Sequence, residues 1–460
     1  MSEKNLISTR APMTWSWRKI FLSLSLLMGI GLSMRGPRAV TIEDEAYYLG
    51  HAHAIAHGRI VPQISDPYPG MEVAGRPRIK YPVAWPLLLA PAVKLGVAYA
   101  LRMNTLIHLL AAGLFALLLR RRNLPPEYSF LFLLQPGLFF YSQTAMADSL
   151  TVLLILAGLL QCEKGRLLAA SLWMGLAILI KIGAVVPAGI MSLWLAFEGV
   201  RGKRPFGDAW KFVGGLVFAG GLLLLGYKLT QGKFLPETYL ARPSFSWISP
   251  RFAAHLGFYA LGLVLIYPGM LWGLRYNNGL ERFLVLSIVV FQSGYFFVDR
   301  GRSFLESLVL AQRLVLPAVA ILLLGYASWM ERLAKFRRVA QGAVGVAALG
   351  AALAIGTRYH VFQQEWSGMA GEIDQALPPG AFLEYDPRAM KLASVLSHPG
   401  AFLPLFPDQV HPEKETRYYL ASKESLTYRA PEELPTLALP GNRVLETSKV
   451  TLWRIDSKTP

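Results

Sequence analysis

An apolar run, IFLSLSLLMGIGLSM at residues 20–34, turns abruptly polar in RGPRAVTIEDE at residues 35–45. Basic residues precede the run and no small-residue cleavage site follows it, so we interpret it as an uncleaved signal anchor. Carboxylates at a membrane surface must face water, a cation or a substrate, because burying them without a partner costs several kcal/mol. The acidic triplet Glu43–Glu45 is therefore a candidate site.

The rest of the chain repeats this alternation of apolar runs with short basic loops. It has 460 residues, of which 53% are hydrophobic, and this composition argues against a soluble globular protein. The net charge of +17 comes largely from cation clusters beside apolar runs, which is the pattern of cytoplasmic loops rather than of a nucleic-acid-binding surface. Cys162 is the only cysteine, which excludes an intramolecular disulfide and a zinc site built from several cysteines.

The apolar runs predict about eleven membrane-spanning helices and a cytoplasmic N-terminus. Within the first outer loop, residues 35–98, the proline-containing stretch Val83–Val97 is expected to be an interfacial or re-entrant helix. The multi-spanning domain covers residues 1–356, and residues 357–460 form a small extracytoplasmic domain that starts with a helix at Val361–Ala376. The strands expected there are Ala381–Tyr385, Arg417–Ala421 and Val450–Ile455. We therefore predict an all-α polytopic protein of the cell membrane with a small C-terminal α/β soluble domain.

Two acidic positions are candidates for chemistry. Asp44 opens a predicted helix, where it shares a face with Tyr48 and His51 and where the helix dipole favours a carboxylate. Asp148 begins a later span at the same outer face, directly after the predicted span Tyr128–Thr144. An acid at that depth is a functional candidate, and the plain alternative for both residues is a helix N-cap.

Cations at the outer face run against the positive-inside bias and indicate an anionic ligand such as a lipid phosphate. They are Arg76, Arg78, Lys80, Lys181, Lys233, Arg242, Arg300, Arg302 and Arg313. Each of them alone is also explained as a solvated or headgroup-facing residue. His53 and His57, four residues apart, could jointly bind a divalent metal, but no further ligand is identified, so no cofactor is assigned.

An ordered set of motifs lies within about residues 15–330: Asp44-Glu45, Ala56–Pro62, Lys80-Tyr81-Pro82, Ala147–Ser149, Gly175–Lys181 and Arg313–Pro317. This set resembles the GT-C glycosyltransferases, in particular the protein O-mannosyltransferase and lipid A aminoarabinose transferase families. One departure is Tyr81, because the lysine of these families is usually followed by two prolines.

The resemblance implies transfer of a sugar from a polyprenyl-phosphate donor to an acceptor hydroxyl on a glycan, lipid or protein at the outer face, with inversion. It implies that Asp44 is the base, that Glu45 orients the loop or the acceptor, and that Asp148 supports the sugar or the base. The substrate-binding residues would be Lys80 and Arg313 at the phosphate, with Arg76, Arg78, Lys181 and His51 near them.

Two other classes fit part of the pattern. A transporter or flippase for a lipid-linked substrate would also carry charges in the membrane, but usually on broken helices in two repeated halves, and no such pair stands out in the sequence. A non-catalytic member of the same fold would have no need for the acidic pair and Asp148.

The predicted sidedness is testable with a single engineered cysteine in a Cys162→Ala background. Ser397→Cys lies in the domain expected outside, so an impermeant thiol reagent should label it on intact cells. Lys203→Cys, in a predicted cytoplasmic loop, should be labelled only after permeabilisation. The opposite labelling pattern would reverse the topology.

Overall fold

The computed structural model describes most of the chain, including nearly all of residues 81–381. The described residues are 17–34, 43–62, 71–73, 76–78, 81–234, 250–267, 269–294, 304–333, 337–381, 383–385, 389, 392, 396, 400–402, 416–423 and 442–456.

Helices dominate these residues. In chain order they are α1 (Trp17–Ser33), α2 (Glu43–Ala56), α3 (Ala84–Leu95), α4 (Val97–Arg121), α5 (Ser129–Leu134), α6 (Pro136–Ser142), α7 (Asp148–Glu163), α8 (Leu167–Ile180), α9 (Val185–Val200), α10 (Gly207–Gln231), α11 (Pro250–Ile266), α12 (Gly279–Ser293), α13 (Phe304–Ala311), α14 (Leu316–Arg332) and α15 (Arg337–Ala376). Short 3₁₀ turns at Pro126–Tyr128, Ile182–Ala184, Met270–Arg275 and Gln312–Leu314 connect some of them.

Several helices are long and apolar enough to cross a membrane. Among the described residues, four helices pass by length and composition: Val97–Arg121, Ile182–Val200, Gly207–Thr230 and Gly342–Ala376. A fifth span results if Ser307–Leu314 and Leu316–Arg332, which meet at a bend of 98°, are counted as one. The architecture is therefore that of a multi-pass membrane protein, while the count of eleven spans stays a prediction. The helix α3 has 12 residues and measures about 18 Å, less than the apolar thickness of a bilayer.

The predicted span Tyr128–Thr144 is instead two short helices, α5 and α6. They separate at Gln135, whose backbone is extended because the following Pro136 disfavours a helical residue before it. The Gln135 side chain accepts a hydrogen bond from the backbone N–H of Leu138 at 2.7 Å and so caps α6. Every residue from Tyr128 to Ser149 is buried, so this segment lies inside the helix bundle.

The helix α15 is continuous where the sequence predicted a span ending near Gly356 and a separate helix at Val361–Ala376. Its 40 residues measure about 60 Å, roughly twice the apolar thickness of a bilayer. The predicted domain boundary at residues 356/357 therefore falls inside one helix.

A five-stranded sheet follows α15, with strand order β4-β3-β5-β7-β6. The strands are β3 (Leu383–Tyr385), β4 (Gly400–Phe402), β5 (Thr416–Ser422), β6 (Asn442–Glu446) and β7 (Val450–Asp456), and the hairpin β1 (Met71–Val73) and β2 (Arg76–Arg78) lies earlier in the chain. β3 pairs in parallel with β4 and β5, whereas β7 pairs antiparallel with β5 and β6. The small C-terminal sheet expected from the sequence is present.

Two hydrophobic clusters meet at α2. The larger one fills the helix bundle and includes Tyr48 and Leu49 of α2. The smaller one joins Tyr47 of α2 to Trp366 of α15 and to apolar residues of the sheet such as Leu452. Because neighbouring residues of one helix enter different clusters, α2 is enclosed between the bundle and the C-terminal part of the chain.

Adjacent glycines of α10 provide a matched test of helix packing. A Cβ on Gly215 would lie 2.8 Å from Ser171 Cβ of α8, whereas a Cβ on Gly214 would meet nothing within 4 Å. Gly215→Ala should therefore force α8 and α10 apart and lower stability by about 1–3 kcal/mol. Gly214→Ala should be neutral or slightly stabilising. Thermal unfolding in detergent measures both variants, and equal melting temperatures would contradict this packing.

Candidate active site

Two of the carboxylates in the first turn of α2, those of Asp44 and Glu45, lie in different surroundings. Asp44 is partly exposed, with 14% of its side chain accessible, whereas Glu45 is fully buried. Glu45 Oε2 accepts a hydrogen bond of 2.7 Å from the backbone N–H of Ala145, in the loop before α7. Glu45 therefore joins α2 to this loop, and its expected role in orienting the loop or the acceptor stays a prediction.

The loop before α7 is held by side chains from two other helices. Asn104 of α4 donates hydrogen bonds to the carbonyls of Thr144 and Met146, and Trp85 Nε1 of α3 donates to the carbonyl of Ala145 at 2.9 Å. Irregular backbone at membrane depth is tolerated where protein surrounds it and satisfies its polar groups. These bonds fix the chain immediately before Asp148.

Asp148 is the first residue of α7 and is almost completely buried, with 2% of its side chain accessible. The cap position of α7 is Ala147, so Asp148 does not occupy the N-cap position that offered the plain alternative. Its Oδ1 forms an ion pair with Lys181 Nζ. Lys181 has extended backbone and separates α8 from the turn that leads into α9.

Arg313 joins the two acids. It lies in the 3₁₀ turn at the 98° bend before α14, and only 9% of its side chain is accessible. Its Nη2 is 2.9 Å from Asp44 Oδ2, and its Nε is 3.5 Å from Asp148 Oδ2. One guanidinium therefore bridges carboxylates from α2 and α7, and the structure brings together Asp44, Asp148, Lys181 and Arg313 as one charged cluster.

Tyr81 also belongs to this cluster, although the sequence indicates it only as the residue at which the Lys80-Tyr81-Pro82 motif departs from the family pattern. Its phenol is hydrogen-bonded to the Asp44 carboxylate. Burial is the main cause that raises the pKa of Tyr81 well above its usual value, and the negative charge of Asp44 adds to it. Nothing local in the sequence predicts this contact, because it depends on how α2 and α3 pack.

The remaining candidates fall into two groups. His51 lies seven residues beyond Asp44, about 10 Å along the helix axis, and is bonded to the carbonyl of Ile60 at 2.8 Å. Burial lowers the pKa of His51. Arg76 and Arg78 lie in β2, opposite Val73 and Met71, but their side chains are not among the described parts of the chain. Four further candidates lie entirely outside the described residues: Lys80, Arg242, Arg300 and Arg302.

The metal candidates His53 and His57 contact each other, with ring centroids 4.2 Å apart. His57 Nδ1 is 2.8 Å from the carbonyl oxygen of His53. Within the described part of the chain no group of three or more His, Cys, Asp or Glu residues is arranged to hold a metal ion. A metal at this pair stays a prediction.

Charged groups also gather at the other end of the bundle. α7 starts at Asp148 and ends at Glu163, which forms ion pairs with Arg121 at 3.7 Å and Arg122 at 3.3 Å. Arg122 also pairs with the fully buried Glu281. The charged cluster at Asp148 and the basic segment at residues 120–122 therefore lie at opposite ends of α7.

The fold is similar to that of known membrane glycosyltransferases. ArnT from Cupriavidus metallidurans bound to undecaprenyl phosphate matches with a TM-score of 0.62 and 15% identity, over 95% of this chain and 98% of that chain. The apo state of the same protein matches with a TM-score of 0.60 and 15% identity, over 95% and 97% of the two chains. ArnT is a lipid A aminoarabinose transferase of the GT-C family, so the expected GT-C fold is confirmed. No protein-family model and no curated protein matches the chain.

The buried ion pairs make a stability prediction. Asp148→Asn leaves Lys181 without its carboxylate and weakens the attachment of Arg313, so the free energy of unfolding should fall by about 3 kcal/mol. Asp208→Asn is the matched control, because Asp208 and Lys211 form an exposed pair at 3.4 Å that should contribute about 1 kcal/mol or less. Thermal unfolding in detergent compares the two variants. Equal, small losses would show that the buried pair does not stabilise the fold.

Proposed function

We propose that this protein transfers a sugar from a polyprenyl-phosphate-linked donor to an acceptor hydroxyl at the outer face of the cell membrane, with inversion at the anomeric carbon. The observation that carries the proposal is the bridge from Arg313 to both Asp44 and Asp148. It combines a carboxylate that can take a proton with cations that can hold a phosphate. The similar fold of ArnT, solved with undecaprenyl phosphate bound, supports a lipid-linked donor.

In this proposal Asp44 is the general base. The acceptor oxygen attacks the anomeric carbon on the face opposite the phosphate, and its proton passes to the Asp44 carboxylate. The bond between the anomeric carbon and the phosphate oxygen breaks, and the electron pair leaves with the polyprenyl phosphate. A positioned carboxylate typically accelerates such a step by about 10² to 10⁴. Asp44 suits this role because its side chain is more accessible than those of Glu45 and Asp148.

Arg313 and Lys181 are the cations that would stabilise the departing phosphate. Negative charge grows on the phosphate oxygen as the bond breaks, and fixed cations stabilise that charge more strongly than they stabilise the donor. A guanidinium also matches the geometry of phosphate oxygens. A bound phosphate would compete with Asp44 for Arg313, and a carboxylate that loses a cationic neighbour becomes a stronger base. Donor binding would therefore activate Asp44.

The other predicted residues keep supporting roles in the proposal. Glu45 would fix the loop before α7 through its bond to Ala145, and Asp148 would hold Lys181 and Arg313 in place. Lys80, Arg76, Arg78 and His51 stay candidates for donor binding. The polyprenyl tail would lie between membrane-spanning helices, and the C-terminal domain would lie outside the membrane on the acceptor side.

The experiment starts from a strain that lacks the gene. Mass spectrometry should show one polyprenyl-phosphate sugar accumulating and one glycan, lipid or protein losing that sugar. The wild-type gene and the Asp208→Asn control should restore the product. Asp44→Asn should not restore it, although the variant is present in the membrane at normal abundance.

Two outcomes would contradict the proposal at different levels. A deletion strain with unchanged lipid-linked sugars and unchanged glycans would argue against a transferase altogether. Product restored by Asp44→Asn would leave the transferase assignment intact but would exclude Asp44 as the base.

A further inference from the structure

Tyr81 is enclosed by two aromatic rings from the helix that carries Asp44. It stacks on Tyr48 with ring centroids 4.7 Å apart at 26°, and it meets Tyr47 edge-on at 6.3 Å and 70°. These tyrosines follow Asp44 by three and four residues, which is one turn of α2. The ring of Tyr81 and the carboxylate of Asp44 are therefore positioned by the same short piece of helix.

The two flanking rings belong to different hydrophobic clusters. Tyr48 is part of the cluster in the helix bundle, Tyr47 is part of the cluster with Trp366 of α15, and Tyr81 packs against both clusters. Rotation of the Tyr81 ring out of this place would remove contacts on both sides. Dense packing of this kind holds a side chain in one rotamer, so the direction of the phenol is fixed.

The Tyr81 phenol donates a hydrogen bond to the Asp44 carboxylate, which also pairs with Arg313 Nη2 at 2.9 Å. The two partners respond differently to a phosphate. The guanidinium carries a positive charge and is attracted by the phosphate anion, whereas the phenol carries no net charge and is attracted less strongly. Because the pKa of Tyr81 is raised well above its usual value by burial, and further by Asp44, the phenol keeps its proton near neutral pH and acts as a donor to the carboxylate.

We propose that Tyr81 is a positioning residue, whose hydroxyl keeps the Asp44 carboxylate aimed at the acceptor when a donor phosphate draws Arg313 away. This inference rests on the proposed function, since it concerns the orientation of the proposed base. It assigns a role to the residue at which the Lys80-Tyr81-Pro82 motif departs from the family pattern. The hydroxyl does not react. It limits the directions in which the carboxylate oxygens can point.

The test is Tyr81→Phe, which keeps the ring between Tyr47 and Tyr48 and removes only the hydroxyl. The substrate is the lipid-linked sugar that accumulates in the deletion strain. With this substrate, the kcat of Tyr81→Phe should be about tenfold below that of the wild type, while its KM stays within about twofold. This result is expected for an interaction that acts mainly in the transition state. The acid limb of the rate–pH profile should move up by about one pH unit, because a carboxylate that loses a hydrogen-bond donor takes up a proton more readily.

Tyr128→Phe is the matched control. Tyr128 is buried near the opposite end of the bundle. Its hydroxyl donates a hydrogen bond of 2.9 Å to another carboxylate, at Glu331 Oε2. Tyr128→Phe also removes a hydrogen bond from a phenol to a carboxylate, so it should lower the melting temperature by about as much as Tyr81→Phe does. It should leave kcat and the rate–pH profile unchanged.

Binding of undecaprenyl phosphate to the purified protein separates positioning from phosphate binding. Tyr81→Phe should bind this lipid within about twofold of wild type. Binding weaker by tenfold or more would make Tyr81 a phosphate ligand and overturn the inference. An unchanged kcat and rate–pH profile would also overturn it. If Asp44→Asn is inactive in that case, the proposed base stands and only the role of Tyr81 fails; if Asp44→Asn is active, the base fails first.

Discussion

The bridge from Arg313 to Asp44 and Asp148 is the constraint on which this end of the protein depends. Its distances of 2.9 and 3.5 Å join the start of α2, the start of α7 and the bend before α14. Buried charged groups are stable only when they are paired, and removing one of them leaves another buried without compensation. The start of α2, the start of α7 and the bend before α14 must therefore keep fixed positions relative to one another.

This constraint explains why helices break around the site. α8 ends before Lys181, α14 begins after the bend at Arg313, and an irregular loop leads into Asp148. A break lets a side chain project inward from the end of a helix, but it also frees backbone groups that need partners. Asn104 and Trp85 satisfy those groups in the loop before α7. The buried polar residues of α3 and α4 are thus part of what positions the acids.

The sequence predicted the parts of this arrangement that have local signals. Asp148, Lys181 and Arg313 stand out because charge is rare in apolar surroundings, Asp44 stands out in an acidic triplet beside an apolar run, and their order resembles a known family. The paired helices α5 and α6 were not predicted, since an apolar run buried in protein has the same composition as one that faces lipid. The continuity of α15 was also missed, because glycines such as Gly356 weaken a helix locally while packing elsewhere along it can compensate. The contact of Tyr81 with Asp44 depends on tertiary packing, so no sequence window contains it.

The position of α2 between two hydrophobic clusters has a consequence for the proposed chemistry. A surface helix would leave its carboxylates in water, where a nearby cation contributes little. Here Arg313, the cation that pairs with Asp44 of α2, is 9% accessible, and Asp148, its second carboxylate partner, is 2% accessible. The interactions between these buried charges are therefore stronger than they would be at a surface. Low accessibility also limits the water that could compete with an acceptor for an activated sugar. The C-terminal part of the chain encloses α2 through Tyr47 and Trp366. It therefore contributes to the environment in which Asp44 would act, although the charged residues all come from the preceding membrane region.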